Sequence, residues 1–276
     1  MSAIWTTSRF DIDLGRPQVM GIVNLTPDSF SDGGQFGSVA AALQHCEQLL
    51  RDGANVLDIG GESTRPGSPA VPLEEELARV LPVLREALKL GVPVSVDTYK
   101  PEVMQAALDL GVDIINDIWA LRRGEALQVV AAHPRCGVCL MHMHRDPQTM
   151  QVAPMAGDVV RPVMDFLRER GQALKARGVS ADRIVVDPGI GFGKTVAQNF
   201  SLLARQRELL ELGYPLLAGW SRKSSLGAVT GREQARERVS ASVAAAVLAV
   251  ERGAAVVRVH DVRETVDALK VLSALG

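Results

Sequence analysis

The sequence has no marked excess of either charge. Lys and Arg number 30 against 32 Asp and Glu, a formal net charge of -2 at pH 7. So balanced a chain carries no basic field for nucleic acid, and an anionic ligand would have to be held by a few placed cations. Cysteine is scarce, with only Cys46, Cys136 and Cys139. No two pairs stand at zinc-site spacing and no disulfide framework can be read, so reduced thiols in a cytoplasmic core are expected. No run approaches the roughly 18 apolar residues of a membrane span. The opening stretch MSAIWTTSRFDIDLG lacks the apolar h-region of a secretory signal. The expectation is a cytoplasmic protein with neither nucleic-acid nor membrane partners.

Two motif-like stretches also fall short. In PGIGFGKT the position of the first P-loop glycine is held by Pro188, so a turn is the better reading. His142 and His144 alternate like ligands on a strand, but no further His or carboxylate clearly completes a zinc set.

What the sequence does have is one repeated unit. RDGANVLDIGG, LKLGVPVSVD, LDLGVDIIND, KARGVSADRIVVD, LELGYPLLAG and ERGAAVVRVH each set a glycine after a helical pattern and before a buried strand. Glycine suits the left-handed position that ends a helix. Near-continuous apolar strands suit a parallel sheet covered on both faces. Eight strands are expected, at about 19–24, 56–61, 92–97, 114–118, 137–143, 184–189, 215–221 and 255–261. Helices fill the intervals, including an amphipathic one over 158–176 and an Ala/Val-rich one over 238–252. Eight alternating units in 276 residues favour one α/β domain over 1–276, a single (β/α)8 TIM barrel, over an open sheet. Residues Arg9 to Pro17 read as a short N-terminal hairpin capping the barrel's amino end.

Nearly every expected strand ends in polar groups: Asn24, Glu62, Asp97, Asn116, Met141 to His144, Asp187, Ser221 to Lys223, and Arg258 with His260. A parallel barrel brings the carboxyl ends of all its strands to one face, so scattered residues become one constellation. Two stretches on that face, 25–37 and 62–72, are rich in Gly, Pro, Ser and Asp. They read as active-site loops, with plain surface loops as the alternative. Arg258 and His260 lie two apart in a strand, so they should project to the same side as paired donors for anionic oxygens. Asp261 should point the other way and be structural. Asp117, beside Asn116, reads as a cap.

The set NLTPDSFSDGG, DIGGESTRPGS, SVDT, NDI, DPGIGFGKT, SRKS and RVHDV, in that order along residues 19 to 263, resembles the dihydropteroate synthase family. Members of that family are (β/α)8 barrels, usually homodimers. They join 6-hydroxymethyl-7,8-dihydropterin diphosphate to 4-aminobenzoate with release of pyrophosphate, a transferase step of folate biosynthesis. The resemblance places Asp97, Asn116, Asp187 and Lys223 in a pterin pocket. A buried carboxylate can accept two hydrogen bonds from the guanidine-like pterin edge, which suits Asp187; a carboxamide can supply mixed partners, which suits Asn116. Phe192 and Met141 could flank the ring, although a buried Met is core filler more often than a ligand contact. Arg258 could bind diphosphate with His260, or lie flat on the pterin. The resemblance sets Thr64, Pro66 and Ser221 near aminobenzoate and Arg65 near the leaving group.

Asn24 follows the family pattern for a Mg2+ or diphosphate ligand. Asp32 is a plausible second contact held through water, and Asp28 reads more simply as a turn former. The chemistry is thus expected from Asp97, Lys223, Arg258 and His260, by a dissociative substitution at the pterin methylene carbon. A pterin-binding methyltransferase would share the barrel and the acidic pocket, but it has no need of NLTPDSFSDGG or SRKS. A non-catalytic paralogue would be expected to lack a site residue, and none is missing.

Overall fold

The expected strands form, and they pair in the order a barrel requires. The computed structural model describes residues 4–25, 34–63, 67–150 and 152–275. β3 (Gln18–Asn24), β4 (Val56–Gly60), β5 (Val94–Asp97), β6 (Ile114–Asp117), β7 (Gly137–Met141), β8 (Ile184–Asp187), β9 (Leu216–Ala218) and β10 (Ala254–Val259) close into one parallel barrel. Helices α1 (Gly34–Arg51), α2 (Leu73–Ala87), α3 (Pro101–Leu110), α4 (Ala126–Ala132), α5 (Val160–Lys175), α6 (Val196–Ala204), α7 (Ser224–Thr230), α8 (Val239–Glu251) and α9 (Val262–Ser273) fill the intervals. The six glycines of the repeated unit, at 53, 91, 111, 178, 213 and 253, all have left-handed φ angles between 73 and 103°. Each lets a chain leave its helix and turn directly into a strand.

The strands run shorter than expected at several ends. β7 stops at Met141, so His142 and Met143 lie beyond it, and β10 stops at Val259, leaving His260 outside the ladder. The stretch 25–37 is shortened because α1 begins at Gly34.

Alternation along each strand sorts the barrel into two environments. Outward residues such as Val23, Leu57, Ile59, Val96, Ile115, Leu140 and Val257 pack with the helices in the main core. Inward residues Met20, Val56, Ile114, Cys139, Val185, Leu217 and Val256 fill the barrel's interior. The same phase carried toward the carboxyl ends brings Asn24, Asp58, Asp97, Asn116, Met141, Asp187 and Arg258 to the inner face. The barrel is therefore apolar at its amino end and polar at its carboxyl end.

The amino end is closed by the N-terminal hairpin, which lies earlier than the expected Arg9–Pro17. β1 (Ile4–Thr6) pairs antiparallel with β2 (Asp11–Asp13), Trp5 opposite Ile12, and the Thr7 N–H donates to the Phe10 carbonyl at 2.8 Å to close the turn. Burying that Trp5–Ile12 pair against the interior residues decides the register. Trp5 donates its indole N–H to the Arg183 carbonyl at 3.0 Å, as a buried Trp requires. Arg9 adds an ion pair to the buried Asp113 at 2.6 Å. No helix among the described residues is long and apolar enough to cross a membrane.

Candidate active site

The inner rim begins at one level of the sheet. Asn24, Gly60, Asp97 and Asn116 are successive backbone partners across β3 to β6. One step deeper on β4 lies Asp58, fully buried and without a place among the expected site residues. Its Oδ2 accepts from Arg258 Nε at 2.5 Å and from Asn116 Nδ2 at 3.1 Å. Arg258 Nη2 donates to Asp97 Oδ2 at 2.7 Å. The guanidinium thus crosses the barrel mouth from β10 and is clamped between two carboxylates. Burial disfavours its charge, but Asp58 and Asp97 outweigh that and hold its pKa above the ordinary value. Burial likewise pushes Asp97 up to about 7; Arg258 opposes the shift, while Asp58, Asp117 and Glu76 add to it.

The expected pairing of Arg258 with His260 takes a different form. Because β10 ends at Val259, strand alternation does not reach His260. Arg258 leans toward β4 and β5, whereas His260 turns toward the β9 side. There its Nδ1 lies 3.0 Å from Ser221 Oγ, which also accepts from the His260 backbone N–H at 3.1 Å. Asp261 is structural, as expected, pairing with Arg222 at 2.5 Å. Asp117 accepts from the backbone N–H groups of Trp119 and Leu121 at 2.8 and 2.7 Å. It caps a turn in which Ala120 and Leu121 both take left-handed φ, a conformation seldom adopted by residues other than glycine.

Across the mouth, Asp187 ends β8 and is buried. Burial raises its pKa, opposed by the Gly189 N–H, Lys223, Lys194 and Arg258. The Gly189 N–H donates to its Oδ1 at 2.6 Å. The chain then turns through Phe192, whose ring lies 4.3 Å beneath Lys223 Nζ. Phe192, Met141, Ile118, Met143 and Met150 form a small apolar cluster, with Tyr99 and Trp119 packed on it. The expected residues Asp187, Phe192, Met141 and Lys223 therefore gather on one side. Asp97, Asn116 and Arg258 gather on the other.

Lys194, set aside with the P-loop lookalike, is only 2% exposed. Burial lowers its pKa to about 7, and Lys223 acts in the same direction while Asp187 opposes. Its neighbour His142 is buried too, and burial followed by the Lys194 charge lowers that imidazole to about 2. His142 is therefore a neutral packing residue; its ring meets Phe166 of α5 edge-on at 5.0 Å.

Residues Asp28, Asp32, Thr64, Arg65 and Pro66 lie outside the described residues. The second expected loop enters beside a buried ionic group. Glu62 and Glu76 both pair with Lys100, Tyr99 donates to Glu62 at 2.9 Å, and Thr98 donates to Glu76 at 2.7 Å.

Among the described residues no group of three or more His, Cys, Asp or Glu side chains could hold a metal ion. Asn24 offers one neutral oxygen at the rim. That donor set fits Mg2+ only where substrate phosphate and water complete the coordination, which is the usual habit of that ion.

Residues 20–260 match the model of the pterin binding enzyme family. The chain is 52% identical to the dihydropteroate synthase of Neisseria meningitidis serogroup B over 99% of its own length and 98% of that protein's. The Xanthomonas albilineans dihydropteroate synthase solved with 4-aminobenzoic acid superposes with a TM-score of 0.93 at 51% identity, covering 100% of this chain and 98% of that one. The Burkholderia cenocepacia dihydropteroate synthase complexed with 7,8-dihydropteroate gives a TM-score of 0.90 at 53% identity, covering 99% and 96%. A polar barrel mouth, a family model spanning nearly the whole barrel, and relatives matched end to end lead to one conclusion: the chain belongs to the pterin-binding enzymes, among the dihydropteroate synthases.

Proposed function

We propose that the barrel mouth holds the pterin between Asp187 on one side and Asp97 and Asn116 on the other, with Arg258 and His260 facing the diphosphate. On this reading the chain condenses 6-hydroxymethyl-7,8-dihydropterin diphosphate with 4-aminobenzoate, giving 7,8-dihydropteroate and pyrophosphate. The observation that carries it is the inner-face ring of Asp58, Asp97, Asn116 and Arg258 opposite Asp187. Asp187 accepts from the donor edge of the pterin, Asn116 supplies mixed partners and Asp97 is the second carboxylate. Lys223 and Phe192 line the ring, with Met141 behind it.

The reaction replaces diphosphate by an aniline nitrogen at the pterin methylene carbon. Arg258, His260 and Arg65 stabilise charge on the departing oxygen. The electron-rich pterin delocalises positive charge at the methylene carbon, and the carboxylates of Asp97 and Asp187 favour that cation. The aniline nitrogen of aminobenzoate is neutral at physiological pH, so no strong base is needed. Positioning and electrostatics then carry catalysis without a covalent enzyme intermediate. Thr64, Pro66 and Ser221 hold the aminobenzoate. Asn24, with Asp32, would hold Mg2+ through the diphosphate, where the ion supplies charge neutralisation on the leaving group.

A homodimer and a cytoplasmic location belong to the same proposal. The first is supported by the outer side of α8, where Ala244 and Leu248 are exposed, and by exposed Val229 on α7. The second is supported by three free, buried cysteines.

The test is pyrophosphate release measured with both substrates, with each alone, and after chelation of divalent metal. Release equal to dihydropteroate formed, requiring both substrates and abolished by chelation, is the expected result. Turnover of the pterin diphosphate indifferent to aminobenzoate would contradict the proposal.

A further inference from the structure

The turn after β8 is built around a lysine that never reaches solvent. Lys194 Nζ lies 2.8 Å from the Gly189 carbonyl, 3.1 Å from the Phe192 carbonyl and 3.0 Å from His142 Nδ1, with the His142 carbonyl farther off at 3.5 Å. A buried ammonium loses most of its hydration and needs compensation. Here the contacts are carbonyls and an imidazole, with no carboxylate among them. Both forms of the side chain satisfy the three nearer partners. The ammonium donates to all of them; the neutral amine donates to the two carbonyls and accepts from His142 Nδ1–H.

The turn is packed closely at two glycines. Gly189 and Gly193 have φ of 69 and 71°. A Cβ at Gly189 would stand 1.8 Å from the His142 carbonyl oxygen, and one at Gly193 would stand 2.6 Å from His144 Cβ. The chain thus lies flat against the end of β7, and Lys194 fills the space inside its curve. The two nearer carbonyls belong to the residues that matter for the site. Gly189 donates its own N–H to Asp187 Oδ1 at 2.6 Å, and Phe192 presents its ring beneath Lys223. Asn199 of α6 closes the far side, accepting from the Gly191 N–H at 2.9 Å and donating to Ser225 at 2.9 Å.

We propose that Lys194 is a positioning residue for the pterin pocket: by binding the Gly189 and Phe192 carbonyls it sets the Asp187 carboxylate and the Phe192 ring at the orientation the pterin requires. The inference rests on the assignment of Asp187 to the pterin edge, and its test separates the two. Binding of 6-hydroxymethylpterin is measured by calorimetry for the wild type, Lys194→Met, Asp187→Asn and the double variant. Lys194→Met should weaken binding about tenfold, the scale of one buried hydrogen-bonding group. In the Asp187→Asn background the same change should cost clearly less, about threefold, because the route through the Asp187 carboxylate has been removed and only that through the Phe192 ring remains. In turnover the KM for pterin diphosphate should rise and that for aminobenzoate should stay level, a split that general loosening of the fold does not produce.

Wild-type pterin affinity in Lys194→Met, or an equal loss in both backgrounds, overturns the role of Lys194 while leaving Asp187 in place. Wild-type affinity in Asp187→Asn overturns the pocket assignment, and the inference with it. If Lys194→Met does not fold, Lys194→Gln keeps an amide donor at the position and carries the same cycle, with a smaller loss of the same sign expected.

Discussion

Asp58 shows what a single residue in a strand can conceal. In VLDIGG it stands between Leu57 and Ile59, and the polar groups at the strand's end draw the eye instead. The signal was nonetheless in the sequence. Asp58 shares its phase with Val56 and Gly60, the inward positions of β4, and a carboxylate there needs a partner. That partner, Arg258, lies 200 residues away in sequence, and only barrel closure makes the pairing legible. Asp97 and Asp187 were readable because each ends its strand, and Asn116 because it stands one residue from the end of its own. Asp58→Asn keeps the shape but removes the charge that holds the guanidinium across the mouth. Leaving Arg258 with one carboxylate should lower stability by about 2 kcal/mol, below the loss typical of deleting a buried ion-pair partner outright. It should lower kcat/KM by about a hundredfold, the scale of a charge-assisted contact. Urea unfolding and steady-state kinetics check the two halves separately.

Among elements, the helix stops were the most legible, because one residue type does one steric job at each of them. Strand ends were less so. β7 was expected to run to Met143, and its apolar pattern does continue, but the ladder stops at Met141. The pairing closes with the His142 N–H donating to the carbonyl of Asp187, the β8 partner of Met141, at 2.9 Å. His142 then sits in the seam between the end of β7, α5 and the turn after β8, buried beside Lys194. The pH dependence follows from this setting. The folded-state pKa lies near 2 against an ordinary value of 6.5, so below pH 6.5 the unfolded chain binds a proton that the folded one refuses. The stability associated with a neutral His142 is present above that pH and is lost as pH falls toward the folded value. The slope is about 1.4 kcal/mol per pH unit, or roughly 2–3 kcal/mol between pH 6.5 and 4.5. His142→Gln removes the titrating group, so its unfolding free energy should fall by that much less than the wild type's over the same interval. Parallel denaturation curves at the two pH values measure the difference.

For the molecule as a whole, the division of labour follows from direction along the strands. The amino end is sealed by Trp5 and Ile12 over an apolar interior, and the carboxyl end holds every polar inward residue of the site. The barrel and its eight strands could be read from the repeated unit. The hairpin's place could not, because its register depends on packing into a barrel that local sequence does not show. On the proposed reading, the pterin side is a property of strand ends and one tightly bonded turn, available before any second substrate arrives. The most direct measurement is a calorimetric titration of 6-hydroxymethylpterin into the protein without aminobenzoate, metal or pyrophosphate, for the wild type and Asp187→Asn. The predicted result is one-to-one binding by the wild type and affinity weaker by about thirtyfold in the variant, the scale of a charge-assisted hydrogen-bond pair. Binding that appears only after aminobenzoate is added, or equal affinity in the two proteins, would contradict the account.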